Sequence, residues 1–190
     1  SRVGPGFYIV VEKILGWGEE LKPWPIGGST GYDALNEIDG VLVDRESRER
    51  FADFYQNQVG APQTYSQALE EAKTHLIERS FGAECRRLAR LACDIASRNA
   101  PQPDISFRAV LHVLRRMAVA MPIYRTYVGA RGPDAADKRI IEAVMSRVRH
   151  EVETADRHAV DFLEHVLLAR LEAVDTLAFR RAFEQLTGPL

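Results

Sequence analysis

The residues best placed to do chemistry stand at the end of an apolar run. Phe7-Tyr8-Ile9-Val10-Val11 is rich in β-branched and aromatic side chains, and Glu12-Lys13 follows it directly. A short run with no polar alternation predicts a strand buried on both faces, as in parallel sheets covered by helices. In open α/β sheets and (β/α)8 barrels, ligand and catalytic groups gather at the C-terminal end of such a strand. On this stretch alone, Glu12 and Lys13 serve equally well to mark where the strand leaves the core. Other chemistries have weaker support. The five histidines are His75, His112, His150, His158 and His165. Only His158 and His165 share a helical face, and neither has a Cys or Asp partner at ligand spacing, so no metal site is predicted. Cys85 and Cys93 lie about 12 Å apart along one helical pattern, too far for a disulfide within it. They read as buried thiols in a reducing compartment.

The residues after Glu12 narrow the reading. Val11-Glu12-Lys13-Ile14-Leu15 is followed by a Trp24-Pro25 step and a Ser29-Thr30-Gly31-Tyr32-Asp33 turn. Later come Met121-Pro122-Ile123-Tyr124-Arg125-Thr126-Tyr127 and, near the end, Phe183-Glu184-Gln185-Leu186-Thr187-Gly188-Pro189. In this order and spacing the chain resembles the maltooligosyltrehalose synthases of the α-amylase superfamily. The first block is the most specific, and the helical stretches between the blocks identify little. One departure is Met121, which stands where the family usually has Phe.

The resemblance implies roles. Retaining glycosyl transfer uses one carboxylate to attack the anomeric carbon and a second carboxyl group to protonate the leaving oxygen. Glu12 matches the family's general acid/base. It would protonate the departing reducing-end glucose and then activate that sugar's anomeric hydroxyl, turning an α-1,4 bond into the α,α-1,1 bond of trehalose. Excluding water prevents net hydrolysis. The nucleophilic aspartate would lie upstream of Ser1 and a third catalytic aspartate downstream of Leu190. Trp17, Trp24, Tyr32, Tyr124 and Tyr127 could stack on or hydrogen-bond sugar rings, although any single aromatic is more often a packing residue. Tyr32 and Asp33 sit in the matched turn; Tyr124, Arg125 and Tyr127 follow a helix-ending proline, where loops carry function. Trp24, Tyr32, Asp33, Tyr124, Arg125 and Tyr127 are thus the substrate-binding candidates. Lys13 points away from Glu12 on a regular strand and is expected to hold a neighbouring carboxylate rather than touch substrate. The resemblance implies no cofactor.

Composition sets bounds. The chain has 190 residues, with 25 basic and 27 acidic side chains. No basic surplus points to nucleic acid or an anionic membrane. Every apolar run falls short of a membrane span, and no secretory signal opens the chain. These features predict a soluble chain; the resemblance implies a cytoplasmic enzyme whose partners are a maltooligosaccharide substrate and the rest of its own barrel domain. The chain does not begin with Met and opens close to a core strand. With the resemblance, this predicts a fragment of a longer enzyme that is inactive alone. Two other readings remain: a piece of a hydrolytic member of the superfamily, or a non-catalytic helical interaction module.

The elements that must position these residues are mostly helical. Residues 16–30 are rich in Gly and Pro and predict a loop. Thr30 is a candidate N-cap for a short helix over 31–38, with Gly40 as its terminator. Residues 41–43 could add a short strand or simply anchor the turn. Asp44 should cap a helix reaching about residue 58. From Thr64, apolar residues recur at steps of three and four: Leu69, Ala72, Leu76, Ile77, Phe81, Cys85, Leu88, Leu91, Ala92 and Ile95. They predict one long helix, kinked near residues 80–82. Asp104 or Ser106 should open the next, which buries Phe107, Val110, Leu111, Leu114, Met117 and Ala118 and ends at Pro122. Asp134 should open a helix to about residue 153, with Ile140, Ile141, Val144, Met145 and Val148 inward, followed by helices over about 157–171 and 174–186. The basic run 147–150 and the pair Arg180-Arg181 read as solvated faces. The predicted fold is mainly α. Residues 1–40 form a strand, loop and helix piece of a (β/α)8 barrel, and residues 41–190 a multi-helix bundle following it.

Overall fold

A computed structural model describes residues 6–16, 18–60, 63–99 and 105–190. Trp17 and Asp104 lie outside the described residues. The chain divides into two compact units, residues 1–64 and 65–190. Among the described residues there are eight α-helices and two very short strands, so the fold is mainly helical, as expected.

In the first unit, β1 (Val10–Val11) pairs in parallel with β2 (Gly28–Ser29), Val10 opposite Gly28 and Val11 opposite Ser29. Flanking bonds run from Gly27 N to the Ile9 carbonyl at 2.7 Å and from Thr30 N to the Val11 carbonyl at 3.0 Å. The glycines make the close approach possible: a Cβ on Gly27 would sit 2.5 Å from the Tyr8 ring. The expected loop over 16–30 therefore contains a strand, and β1 has a partner along one edge. The expectation that β1 is buried on both faces fails in this chain. Phe7, Tyr8 and Val10 are all exposed.

α1 spans Tyr32–Val41, and its N-cap is Gly31 at φ 79, with no side-chain cap. Thr30 lies one residue before the cap position, and its N–H extends the strand pair. The helix runs through Gly40, and the predicted strand at 41–43 is absent: Leu42 N and Val43 N close a turn onto the carbonyls of Asp39 and Gly40. A strand needs a neighbour to satisfy its ladder, and none pairs there. Asp44 does cap, but it caps a 3-10 turn over Arg45–Ser47, accepting from Glu46 N at 3.0 Å. α2 (Arg48–Val59) follows and ends at Gly60 in the left-handed region. Neither α1 nor α2 buries a residue.

The second unit comprises α3 (Tyr65–Arg79), α4 (Gly82–Arg98), α5 (Phe107–Ala120), α6 (Ala135–Glu151), α7 (Arg157–Leu167) and α8 (Thr176–Thr187). The expected long helix is two. The break falls at residues 80–81, where Ser80 N and Phe81 N both reach back to the Leu76 carbonyl. Of the apolar stripe on α3 only Ile77 is buried; on α4, Cys85, Leu88, Ala92 and Ile95 are. Ser106 caps α5, its hydroxyl accepting from Ala109 N at 3.1 Å. Asp134 caps α6, accepting from Ala136 N at 3.0 Å and Asp137 N at 2.9 Å. α5 stops where Pro122 holds Met121 extended.

α5 is the axis of this unit. It packs against α3, α4, α6, α7 and α8, and Val110, Val113, Leu114, Met117 and Ala118 have no exposed surface. The stripe at steps of three and four is wide enough to face all its neighbours. Phe162 and Leu163 from α7 and Phe179 and Phe183 from α8 complete the core. The basic run is only partly a solvated face. Arg147 bridges Glu70 and Glu151, both at 2.6 Å, and Arg149 bridges Asp161 and Glu164, both at 2.7 Å. Arg180 contradicts the expectation outright: it is buried and donates from Nη1 to the Val166 carbonyl at 3.0 Å. Burial lowers its pKa, against the opposing charge of Glu184.

Both cysteines are free; Cys85 is buried and Cys93 half-buried, and burial raises both thiol pKa values. Among the described residues no helix is long and apolar enough to cross a membrane.

Leu114→Ala should cost about 2–5 kcal/mol of stability, whereas Leu35→Ala on the exposed face of α1 should stay within about 0.5 kcal/mol. Urea denaturation followed by far-UV circular dichroism measures both.

Candidate active site

Glu12 directly follows β1 and is exposed. The parallel pairing determines what meets it. β2 runs beside β1, the chain turns at Gly31, and Tyr32 becomes the first residue of α1. The Gly31 N–H donates to Ser29 Oγ at 3.3 Å and fixes that turn. Tyr32 Oη then donates to Glu12 Oε1 at 3.1 Å, bringing together residues twenty apart. The phenol's pKa is raised, first because Glu12 accepts its hydrogen bond and second by the carboxylate's charge. Tyr32 is therefore a proton-bearing donor held on one oxygen of Glu12. Asp33 sits exposed in the first turn of α1, where the helix dipole favours a carboxylate.

Lys13 points elsewhere, as the strand's alternation requires. It is buried, and its Nζ forms an ion pair with Glu19 Oε1 at 2.7 Å. Glu19 Oε2 accepts from Gly16 N at 2.9 Å, which ties the loop after β1 back onto itself. Trp24 is half-buried in that loop, between tight turns closed by Trp24 N on Lys22 O and Ile26 N on Trp24 O.

The second unit carries a separate cluster on the loop between α5 and α6. Tyr124 is exposed and lies against Gly188, where a Cβ would come within 3.2 Å of the ring. Arg125 Nη2 donates to Glu184 Oε2 at 2.9 Å, and its guanidinium lies 4.9 Å from the Tyr127 ring centroid, in cation–π range. Tyr127 N donates to Asp137 at 3.4 Å. Met121 is buried in the core, and its carbonyl accepts from Lys73 Nζ at 2.7 Å. That position thus presents no side-chain face to solvent.

The structure joins Glu12 to Tyr32 in the first unit and Arg125 to Tyr127 in the second. The sequence reading gave Glu184 and Asp137 no role. A signal for Glu184 was present: a carboxylate on the same face as Phe179, Phe183 and Leu186 must find donors there. Among the described residues no group of His, Cys, Asp and Glu is arranged to hold a metal ion.

Helical units of this shape occur in trehalose-forming enzymes. The maltooligosyltrehalose synthase of Arthrobacter ramosus superposes with a TM-score of 0.73 over 95% of this chain and 21% of that one, at 25% identity. The glycosyltrehalose synthase of strain DSM5389 shares the fold, with a TM-score of 0.55 over 84% of this chain at 21% identity. In sequence, the chain is 35% identical over 121 residues to a Mycobacterium tuberculosis protein carried under the provisional name maltooligosyl trehalose synthase. The match takes in 63% of this chain and 16% of that protein, so the chain spans about a sixth of the curated relatives' length. No protein-family model matches. The resemblance to maltooligosyltrehalose synthases that the motifs carry is thus present in both sequence and fold.

Removing the Glu12 carboxylate should lower the Tyr32 pKa toward that of an ordinary phenol. A carbon-13 NMR titration of labelled tyrosine in the wild type and Glu12→Ala should show one phenol moving down while the others stay.

Proposed function

We propose that this chain is part of an intramolecular glucosyl mutase, a (1→4)-α-D-glucan 1-α-D-glucosylmutase of the α-amylase family. The parent enzyme would convert the reducing-end α-1,4 bond of a maltooligosaccharide to the α,α-1,1 bond of trehalose, in the cytoplasm. One observation carries the reading: Glu12 leaves a parallel strand with Tyr32 Oη on its Oε1. Residues 1–40 then supply a piece of the catalytic barrel and 41–190 the helical subdomain, with residues 41–64 grouped structurally beside the barrel piece.

In this reading Tyr32 orients the carboxyl and leaves Oε2 to carry the working proton. That oxygen protonates the glycosidic oxygen as glucose leaves. After the sugar turns over, the same oxygen takes the proton of the incoming anomeric hydroxyl. The nucleophile and third carboxylate come from the remainder of the longer polypeptide. Trp24, Tyr32, Asp33, Tyr124, Arg125 and Tyr127 bind the sugar chain, through aromatic faces and hydroxyl-directed polar groups. Lys13 braces the Glu12 loop through Glu19. Glu12 is exposed in this chain, so the walls that separate isomerisation from hydrolysis must also come from that remainder.

In the full-length enzyme, Glu12→Gln should lower both isomerisation and side hydrolysis by roughly a hundred- to ten-thousand-fold, because an amide cannot cycle a proton. Maltooligosaccharide binding should persist. Steady-state rates with maltopentaose decide it, and near-normal turnover would remove Glu12 from the mechanism.

The 190-residue chain by itself should show no turnover. Calorimetric titration with maltopentaose should find weak binding or none, since the cost of fixing a flexible sugar goes largely uncompensated when most of the site is missing. Micromolar affinity would mean that the helical unit alone holds the substrate.

A further inference from the structure

Glu184 is a buried carboxylate in the core-facing side of α8, flanked by the buried Phe183 and Leu186. A charge in that position is costly unless fully hydrogen-bonded. Its donors all come from four consecutive residues of the α5–α6 loop. Oε1 accepts from Val128 N at 2.7 Å and Thr126 Oγ1 at 3.2 Å, and Oε2 accepts from Arg125 Nη2 at 2.9 Å. Residues 125–128 belong to no helix or strand, so they have no ladder of their own to fix their shape. The carboxylate does that work. Held from below, the Arg125 guanidinium lies over the Tyr127 ring, and among the described residues its Nη1 has no protein partner.

We propose that Glu184 is the positioning residue for Arg125, setting the guanidinium so that Nη1 donates to the hydroxyls of a bound glucan. The inference rests on the sugar-binding role proposed above for Tyr124, Arg125 and Tyr127. The two oxygens divide the labour. Oε1 shapes the backbone, whereas Oε2 aims the side chain. They are therefore separable by substitution: Glu184→Gln can keep a carbonyl oxygen facing Val128 and Thr126, while its amide turns an N–H toward Arg125 and breaks that bond alone.

The test uses the full-length polypeptide assayed for maltopentaose isomerisation, together with amide hydrogen exchange on the 190-residue chain. Glu184→Gln should raise KM by roughly ten- to a hundredfold, the scale of a lost charge-assisted hydrogen bond, with kcat within about twofold, as for loss of uniform binding. The Val128 amide should stay protected in Glu184→Gln and exchange rapidly in Glu184→Ala. Arg125→Ala should raise KM as much as Glu184→Gln does, and the double variant should be no worse than Arg125→Ala, because both changes remove one interaction. KM effects that multiply in the double variant would overturn the proposal. So would a KM that stays normal in Glu184→Gln with an active wild type, or protection at Val128 that survives in Glu184→Ala. A wild-type polypeptide that does not isomerise maltopentaose to a non-reducing product would instead sink the functional reading, and this inference with it, while the exchange data still report whether Glu184 holds the loop.

Discussion

The burial of α5 is the constraint on which the larger unit depends. A helix that touches five others needs a wide apolar face, and the sequence answers with Val110, Val113, Leu114, Met117 and Ala118, which cover an arc of roughly 140° and are all fully buried. Each fully buried apolar side chain of this kind contributes about 1.5–3 kcal/mol. With that axis fixed, the loop after α5 leaves the core at a defined point. Met121 stays inside, its carbonyl satisfied by Lys73, and Pro122 prevents another helical turn. The position of Tyr124, Arg125 and Tyr127 follows from where α5 must stop.

The first unit depends on a different kind of bond. Among the described residues its sheet is two residues long on each strand, and α1 and α2 bury nothing. What orders the neighbourhood of Glu12 is polar and local: the flanking bonds of Gly27 and Thr30, the Gly31 turn, and the Lys13–Glu19 pair. Phe7, Tyr8, Ile38, Val41, Leu42, Phe51 and Phe54 remain exposed. So many large apolar groups on one small unit are unusual for an isolated soluble domain.

Much of the helical unit was legible in the sequence because its signals are local. Ser106 and Asp134 cap where a hydroxyl or carboxylate precedes a periodic run, and Pro122 terminates by steric rule. The misreadings share a cause. Thr30 looked like a cap, but the cap position falls one residue later, on Gly31 in the left-handed region, because Thr30 still pairs with the strand. Of the two readings of residues 41–43, the turn holds and the strand does not, since β-propensity has no effect without a partner. Arg180 looked solvated beside Arg181, although one step around a helix is enough to move a side chain from water to core. Glu12 stands out in the sequence through the strand it follows. Glu184 was overlooked because a buried carboxylate is defined by donors from another element, which no local window contains.

The packing order of the helices also bears on folding. Consecutive helices contact one another along the second unit, and such short-range contacts form quickly. α8 also docks on α4 and α5, far back along the chain, and closing that long loop carries an entropy cost that nearer contacts avoid. Glu184 rides on α8, so residues 125–128 take their hydrogen-bond acceptor from an element 56 to 59 residues further along the chain. A substitution that loosens the docking of α8 is therefore felt in the shape of this loop.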